Sequence, residues 1–66
     1  MNEFEVSMEL PNGHQVDFTI KCSDDTRTKI LDVLNSAGFF HFSNQDWVHQ
    51  LNFPGGFIQV TDNGKI

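Results

Sequence analysis

Hydrophobic and polar residues alternate along two stretches near the start of the chain. In residues 3–10 the apolar side chains occupy the even positions and Glu or Ser the odd ones, and residues 15–22 repeat this pattern. A period of two is typical of a β-strand with one buried face. The sequence therefore predicts two half-buried strands, joined by "LPNGH" into a β-hairpin.

The loop of this hairpin follows from the alternation. Residues that pair across a hairpin point to the same face, and both apolar sets are even-numbered. A two-residue loop at Asn12 and Gly13 would place apolar residues opposite polar ones. A three-residue loop, residues 11–13, pairs Val6 with Phe18 and keeps the faces separate. Its Pro suits a type I turn and its Gly suits the left-handed position that follows.

The next segment, residues 23–38, predicts a helix. Ser23 or Asp24 can cap the first free amides, and Asp24 and Asp25 favour the positive end of the helix dipole. Gly38 is typical of a left-handed helix terminator. The apolar stripe consists of Ile30, Leu34 and Ala37, flanked by Leu31 and Val33.

Residues 39–57 hold five of the seven Phe, the one Trp and two of the three His. Two structures compete for residues 43–52, namely a short helix capped by Ser43 and a strand. We favour strands, because the even-odd pattern fits across three segments. The expected inner face is Phe40, Phe42, Leu51, Phe53, Ile58 and Val60. The pattern does not decide between the inner and the outer face for Phe39, His41, Trp47, His49 and Phe57.

Together these elements predict one α+β domain over residues 1–66. An N-terminal β-hairpin leads into one helix, and two or three short strands complete an antiparallel sheet that the helix covers. A chain of this length is near the lower limit for an independent core. The lone Cys22 has no internal disulfide partner and fits a reducing compartment. The start of the chain is unlike a signal peptide and no long apolar run occurs, so we expect a cytoplasmic protein without a membrane segment.

Catalytic and metal-binding motifs are absent from the sequence. His14, His41 and His49 lack the spacing of a metal site, and Cys22 lies on the apolar face of its predicted strand. There is no nucleophile elbow, and "FPGGF" carries no Lys for a phosphate loop. We therefore expect a non-catalytic protein with no cofactor and no metal.

The charge of the chain indicates the kind of partner. Nine carboxylates against four Lys and Arg give a net charge of −5, which repels nucleic acid and anionic membranes and attracts basic protein surfaces. Alternation places three Glu on one strand face, with carboxylates two residues apart repeating every ~6.8 Å. This repeat is of the same order as the spacing of phosphates along a nucleic-acid strand. The candidate protein-binding residues are Glu3, Glu5, Glu9, Asp17, Asp24, Asp25, Trp47 and His49.

In size, acidity and layout the chain resembles small phage-encoded inhibitors of the anti-CRISPR kind, although no motif carries the resemblance. The resemblance implies an inhibitor that occupies the basic, nucleic-acid-binding surface of a target, such as a nucleic-acid-processing complex.

Two alternatives remain. "FFHFS" resembles the aromatic RNA-binding motif of cold-shock domains, and "GGFIQV" resembles their other aromatic strand, which implies a binder of single-stranded nucleic acid. The order of the two segments is reversed here, and the basic groove that would track a nucleic-acid backbone is missing. Direct nucleic-acid binding is therefore the second hypothesis. A homodimeric accessory protein is the third, because a small domain gains stability from a second copy.

Overall fold

The computed structural model describes residues 1–66 and confirms the α+β class. The five strands form one sheet in the order β2-β1-β5-β4-β3, and every neighbouring pair is antiparallel. The elements are β1 Asn2–Glu9, β2 Gln15–Cys22, α1 Asp24–Ser36, β3 Phe40–Phe42, β4 Gln45–Phe53 and β5 Gly56–Lys65. Three strands follow the helix, as predicted. Two of them are long, β4 with nine residues and β5 with ten.

The β1–β2 hairpin has the predicted three-residue loop and register. Val6 pairs with Phe18, and the Leu10 N–H donates to the His14 carbonyl over 2.8 Å. Gly13 has a φ of 83°, the left-handed conformation that this turn requires. The alternation therefore sends the apolar residues of both strands to one face, which we call the inner face, and the acidic residues to the other, which we call the outer face.

Helix α1 begins and ends at the predicted signals. The Ser23 hydroxyl accepts a hydrogen bond from the Thr26 N–H over 3.3 Å, and the first turn carries two Asp. The Ala37 N–H donates to the Val33 carbonyl, and Gly38 follows with a φ of 85°. With 13 residues and a polar composition, this helix is not one that could cross a membrane.

The helix packs on the inner face of the sheet. Phe4 is wholly buried, and Leu34 packs with it from the helix side. The buried core consists of Phe4, Val6, Cys22, Leu34 and Val60, with Met8, Ile20, Ile30, Leu31, Phe39 and Ile58 partly buried around it. Cys22 is thus a buried apolar side chain, as the alternation indicates.

Polar contacts also hold the helix on the sheet. Arg27 on α1 donates to the carboxylate of Asp62 on β5 over 2.6 Å, and the Gly64 N–H donates to the other oxygen of that carboxylate over 2.9 Å. At the start of the helix, the buried Asn2 donates from Nδ2 to Asp24 over 2.7 Å. These bonds link the first turns of α1 to the neighbouring strands β1 and β5.

Residues 43–52 form a turn and most of β4, so the strand hypothesis is confirmed. The predicted facing of β3 is wrong. His41 pairs with His49, but the next pair is Phe42 with Gln45, which leaves three extra residues in β4. This irregularity shifts the alternation, so that Phe40 pairs with Gln50 on the outer face rather than joining the core.

The helix covers only part of the inner face. Val16 and Phe18 lie on this face of β2 and are 38% and 43% exposed. The core is concentrated under Leu34, whereas the half of the β1–β2 hairpin nearer its turn extends beyond the helix. An apolar strip beside the β2 edge is therefore open to solvent.

This packing predicts opposite effects at two neighbouring helix positions. Leu34→Ala should lower the free energy of unfolding by about 2–5 kcal/mol, because it empties a buried site. Val33→Ala should leave stability unchanged or slightly higher, because Val33 is exposed and Ala favours the helix. Urea denaturation of both variants measures the difference. Equal losses at the two positions would contradict the packing described.

Candidate protein-binding surface

The predicted carboxylates lie together on the outer face. Glu3, Glu5 and Glu9 all point outward from β1, and Asp17 lies on β2 opposite Ser7. We call these four residues the acidic row. Their neighbours in the β1–β2 register are the polar Lys21, Thr19 and Gln15. The helix does not lie on this side, because α1 packs on the inner face.

Asn63 on β5 braces the acidic row. Its Nδ2 donates to Glu3 over 2.9 Å and to Glu5 over 3.2 Å. One neutral amide therefore bridges two carboxylates and holds them side by side on the outer face. Asn63 was missed by sequence reasoning, since β1 and β5 are joined only in the folded sheet.

A shallow depression lies along the β1–β2 pair beside the acidic row. It has a volume of about 300 Å³, and polar and apolar surface line it in equal measure. The lining residues are Glu5, Val6, Ser7, Asp17, Phe18 and Thr19. A surface of this kind suits a side chain from a partner better than an enclosed small molecule, since ligand pockets are mostly deep and apolar.

Exposed aromatic side chains lie at the other end of the sheet, with Phe40 on its outer face. Phe40 and Phe42 on β3 meet edge to face, with ring centroids 5.7 Å apart, and they are 41% and 38% exposed. Trp47, 47% exposed, lies in the irregular part of β4. Val48 is buried at this end, apart from the main core. We call Phe40, Phe42 and Trp47 the aromatic end.

One cross-strand line connects the two ends. It runs through paired residues of all five strands, in the order Asp17, Ser7, Gln59, Gln50 and Phe40. Four strand spacings separate its ends by about 19 Å. The outer face therefore carries carboxylates at one side, neutral polar groups in the middle and aromatic rings at the other side.

The two acids at the helix start are not part of this face. Asp24 accepts the bond from Asn2 and lies 3.4 Å from the Lys65 ammonium, and together these contacts lower the pKa of Asp24. Asp25 pairs with Lys29 over 3.3 Å along the helix. The fold thus separates Asp24 and Asp25 from the acidic row, and both have local structural partners.

His49 lies on the inner face and is only 3% exposed. It pairs with Val60 on β5 and with His41 on β3, and the two imidazole centroids are 4.3 Å apart. Its Nδ1 is buried and makes no hydrogen bond within the chain. His49 is therefore removed from the candidate protein-binding residues, because a partner bound at the surface would not contact it.

Metal ligands are not gathered anywhere in the fold. No group of three or more His, Cys, Asp or Glu side chains is arranged to hold a metal ion. The His41–His49 pair lacks a third ligand, and Cys22 is buried in the core.

Comparison of the chain with models of protein families, with curated protein sequences and with solved structures finds no match.

Burial of His49 predicts a loss of stability in mild acid. Burial is the main cause that lowers the pKa of His49, and the nearby His41 lowers it further, against a smaller opposing effect of Asp62. The unfolded chain binds a proton at this position below about pH 6.5, whereas the folded chain resists it. The free energy of unfolding should therefore fall as the pH drops from about 6.5 towards the folded pKa, by at most about 1.4 kcal/mol per pH unit from this residue.

Urea denaturation at a series of pH values measures this slope. His49→Leu should flatten it between pH 7 and the folded pKa, whatever its effect on absolute stability. His14→Gln, at the exposed hairpin turn, is the matched control and should retain the slope. A slope unchanged by His49→Leu would show that another group causes the acid sensitivity.

Proposed function

We propose that this protein is a small, non-catalytic binding domain that uses the outer face to occupy a basic surface of another protein. The target surface is one that normally holds nucleic acid, so the bound domain acts as an inhibitor. This is the mode of action implied by the likeness in size, acidity and layout to the anti-CRISPR class. Such targets work in the cytoplasm, where we propose that the protein acts.

The observation that carries this proposal is the braced acidic row. Glu3, Glu5 and Glu9 repeat along one strand at intervals that are multiples of ~6.8 Å, and Asn63 holds two of them. Fixed side chains lose less conformational freedom when they bind than mobile ones do. A regular, preorganised line of carboxylates therefore supports recognition of Lys and Arg side chains that normally contact phosphates.

The aromatic end can supply binding energy that a row of exposed charges does not. Exposed charge pairs are each worth only about 0.2–1 kcal/mol, and they mainly speed association and set orientation. Aromatic side chains dominate the energetic centres of protein interfaces. Phe40 and Phe42 on β3 and the exposed Trp47 in the irregular part of β4 provide such anchors.

A direct test uses purified guide-RNA-loaded CRISPR nucleases of several types, with a basic protein that does not bind nucleic acid as the control. Binding is measured by biolayer interferometry, and inhibition by cleavage of target DNA. The proposal expects at least one nuclease to be bound and its DNA competed away, while the control protein is not. Binding that leaves DNA loading unaffected would contradict the mimicry of phosphates.

The acidic row predicts a charge-specific loss of binding to such a target. Glu5→Gln with Glu9→Gln should weaken binding by about 3- to 30-fold, mostly through slower association, and Glu3→Gln should add to the loss. The fold should be unharmed, because these side chains are outside the core. The wild-type affinity should fall as salt rises, since screening acts over ~8–10 Å at physiological ionic strength.

The control removes the same number of negative charges from another part of the molecule. Asp25→Asn with Asp32→Asn removes two carboxylates from the helix, away from the outer face, and should bind almost as wild type does. Equal losses for the two double variants would indicate only an effect of net charge. Full binding by the Glu variant, with binding abolished by Trp47→Ala, would assign recognition to the aromatic end alone.

The exposed aromatic end also keeps a second candidate function, binding of single-stranded nucleic acid by stacking. Trp47 is the only Trp and reports on this directly. Titration with oligothymidylate should leave its fluorescence unchanged if the protein is an inhibitor, because the net charge of −5 repels phosphates. Salt-sensitive quenching that Phe40→Ala weakens would favour the nucleic-acid binder instead.

A further inference from the structure

Strand β2 is an unprotected edge of the sheet. It is eight residues long, its register with β1 has no irregularity, and it contains no Pro. The opposite edge, β3, has only three residues and an irregular register. Proteins usually blunt an exposed edge with a bulge, Pro, short length or charged side chains, and β2 has only the last of these, Asp17 and Lys21, whose charges are opposite in sign. It is therefore the edge on which another strand can pair.

The hairpin turn fixes which backbone groups of β2 are free. The hydrogen bond from Leu10 to His14 makes these two residues a bonded pair, so the even residues of β2 point their N–H and C=O groups at β1. The odd residues point theirs away from the sheet. Asp17, Thr19 and Lys21 therefore present unpaired donors and acceptors along the free edge.

We propose that β2 pairs antiparallel with β2 of a second copy, about a two-fold axis at Thr19. This register sets Asp17 of each copy opposite Lys21 of the other, and both pairs join opposite charges. It also places the exposed Phe18 opposite Ile20 of the second copy. The neighbouring register, centred on Phe18, would set Asp17 opposite Thr19 and Lys21 opposite Gln15, so it has no charge pair, and the next one, centred on Asp17, would set two Asp side chains against each other.

The pairing covers the apolar strip that the helix leaves open. Val16 and Phe18 lie on the inner face next to the free edge, and each gains a neighbouring strand. Two five-stranded sheets become one ten-stranded sheet. The Glu residues of the acidic row lie one strand in from the junction and are not covered, so the dimer presents two lines of Glu, while each Asp17 pairs with Lys21 of the other copy. The pairing does not depend on the proposed inhibitory function.

Cross-linking tests the register. Thr19→Cys places two sulfurs across the axis, where bonded partners have Cα atoms about 5.5 Å apart, within the range of a disulfide. Gln15→Cys is the control, because its two copies lie eight residues apart, or about 27 Å. Mild oxidation should convert Thr19→Cys to a covalent dimer and leave Gln15→Cys and the wild type, whose Cys22 is buried, uncross-linked. Equal cross-linking of both variants would overturn the register.

Charge variants test the contact itself. Light scattering over a concentration series should show wild-type mass rising towards twice the 7.5 kDa of one chain. Asp17→Lys alone sets Lys against Lys, and Lys21→Asp alone sets Asp against Asp, so each should stay monomeric. Mixed together, the two variants restore both opposite-charge pairs and should form a heterodimer.

These outcomes separate the pairing from general self-association. Asp17→Lys also lowers the net negative charge, which would promote non-specific association rather than prevent it. A wild-type chain that stays monomeric at all concentrations would overturn the proposal, as would single variants that dimerise as the wild type does. Neither result bears on whether the acidic row binds a basic target, which is measured with the nucleases.

Discussion

The pairing of β1 on both of its edges is the constraint on which the structure depends. β1 contacts β2 on one side and β5 on the other, so its alternating residues are forced to opposite faces along its whole length. Phe4 and Val6 enter the core on one face, and the Glu residues between them are forced outward on the other. A surface of repelling carboxylates is thus maintained by apolar burial on the reverse side of the same strand. The free energy that holds the acidic row in place comes from the core beneath it.

Local patterns in the sequence predicted the parts of the fold that are local in space. The hairpin follows from alternation and turn chemistry, and the helix from Ser23 and Gly38, because each signal acts within a few residues. The facing of β3 was missed, since three extra residues in β4 reverse it without a Pro or Gly to mark them. Irregular registers of this kind depend on how two strands settle together, which periodicity within one strand does not encode.

The residues of the candidate surface were likewise predictable where the signal is local in sequence and not predictable where it depends on the folded sheet. The acidic row was predictable because strand periodicity alone places its members on one face. Asn63 was not, because the brace joins residues about 60 positions apart. His49 looked like an exposed aromatic, but its burial is decided by the strands on either side of it. Asp24 and Asp25 looked like part of the charged face, whereas their partners Asn2 and Lys29 assign them to the helix start. The composition showed that the chain is acidic, whereas the strand order and register determine which carboxylates lie next to each other.

The pairing of β1 with β5, which joins the two hairpins into one sheet, has a consequence for how the molecule folds. The β1–β2 hairpin, the helix and the β4–β5 hairpin each form from neighbouring residues, and such elements appear within microseconds. Joining β1 to β5 brings together residues from the two extremes of the chain, as the contact between Val6 and Val60 shows. Long-range strand pairing bears the entropy of closing a large loop, so we expect it to limit the folding rate. Asn63 reaches Glu3 and Glu5 only after β1 and β5 have paired. The hydrogen bonds that link these two carboxylates therefore form late in folding, after the hairpins and the helix.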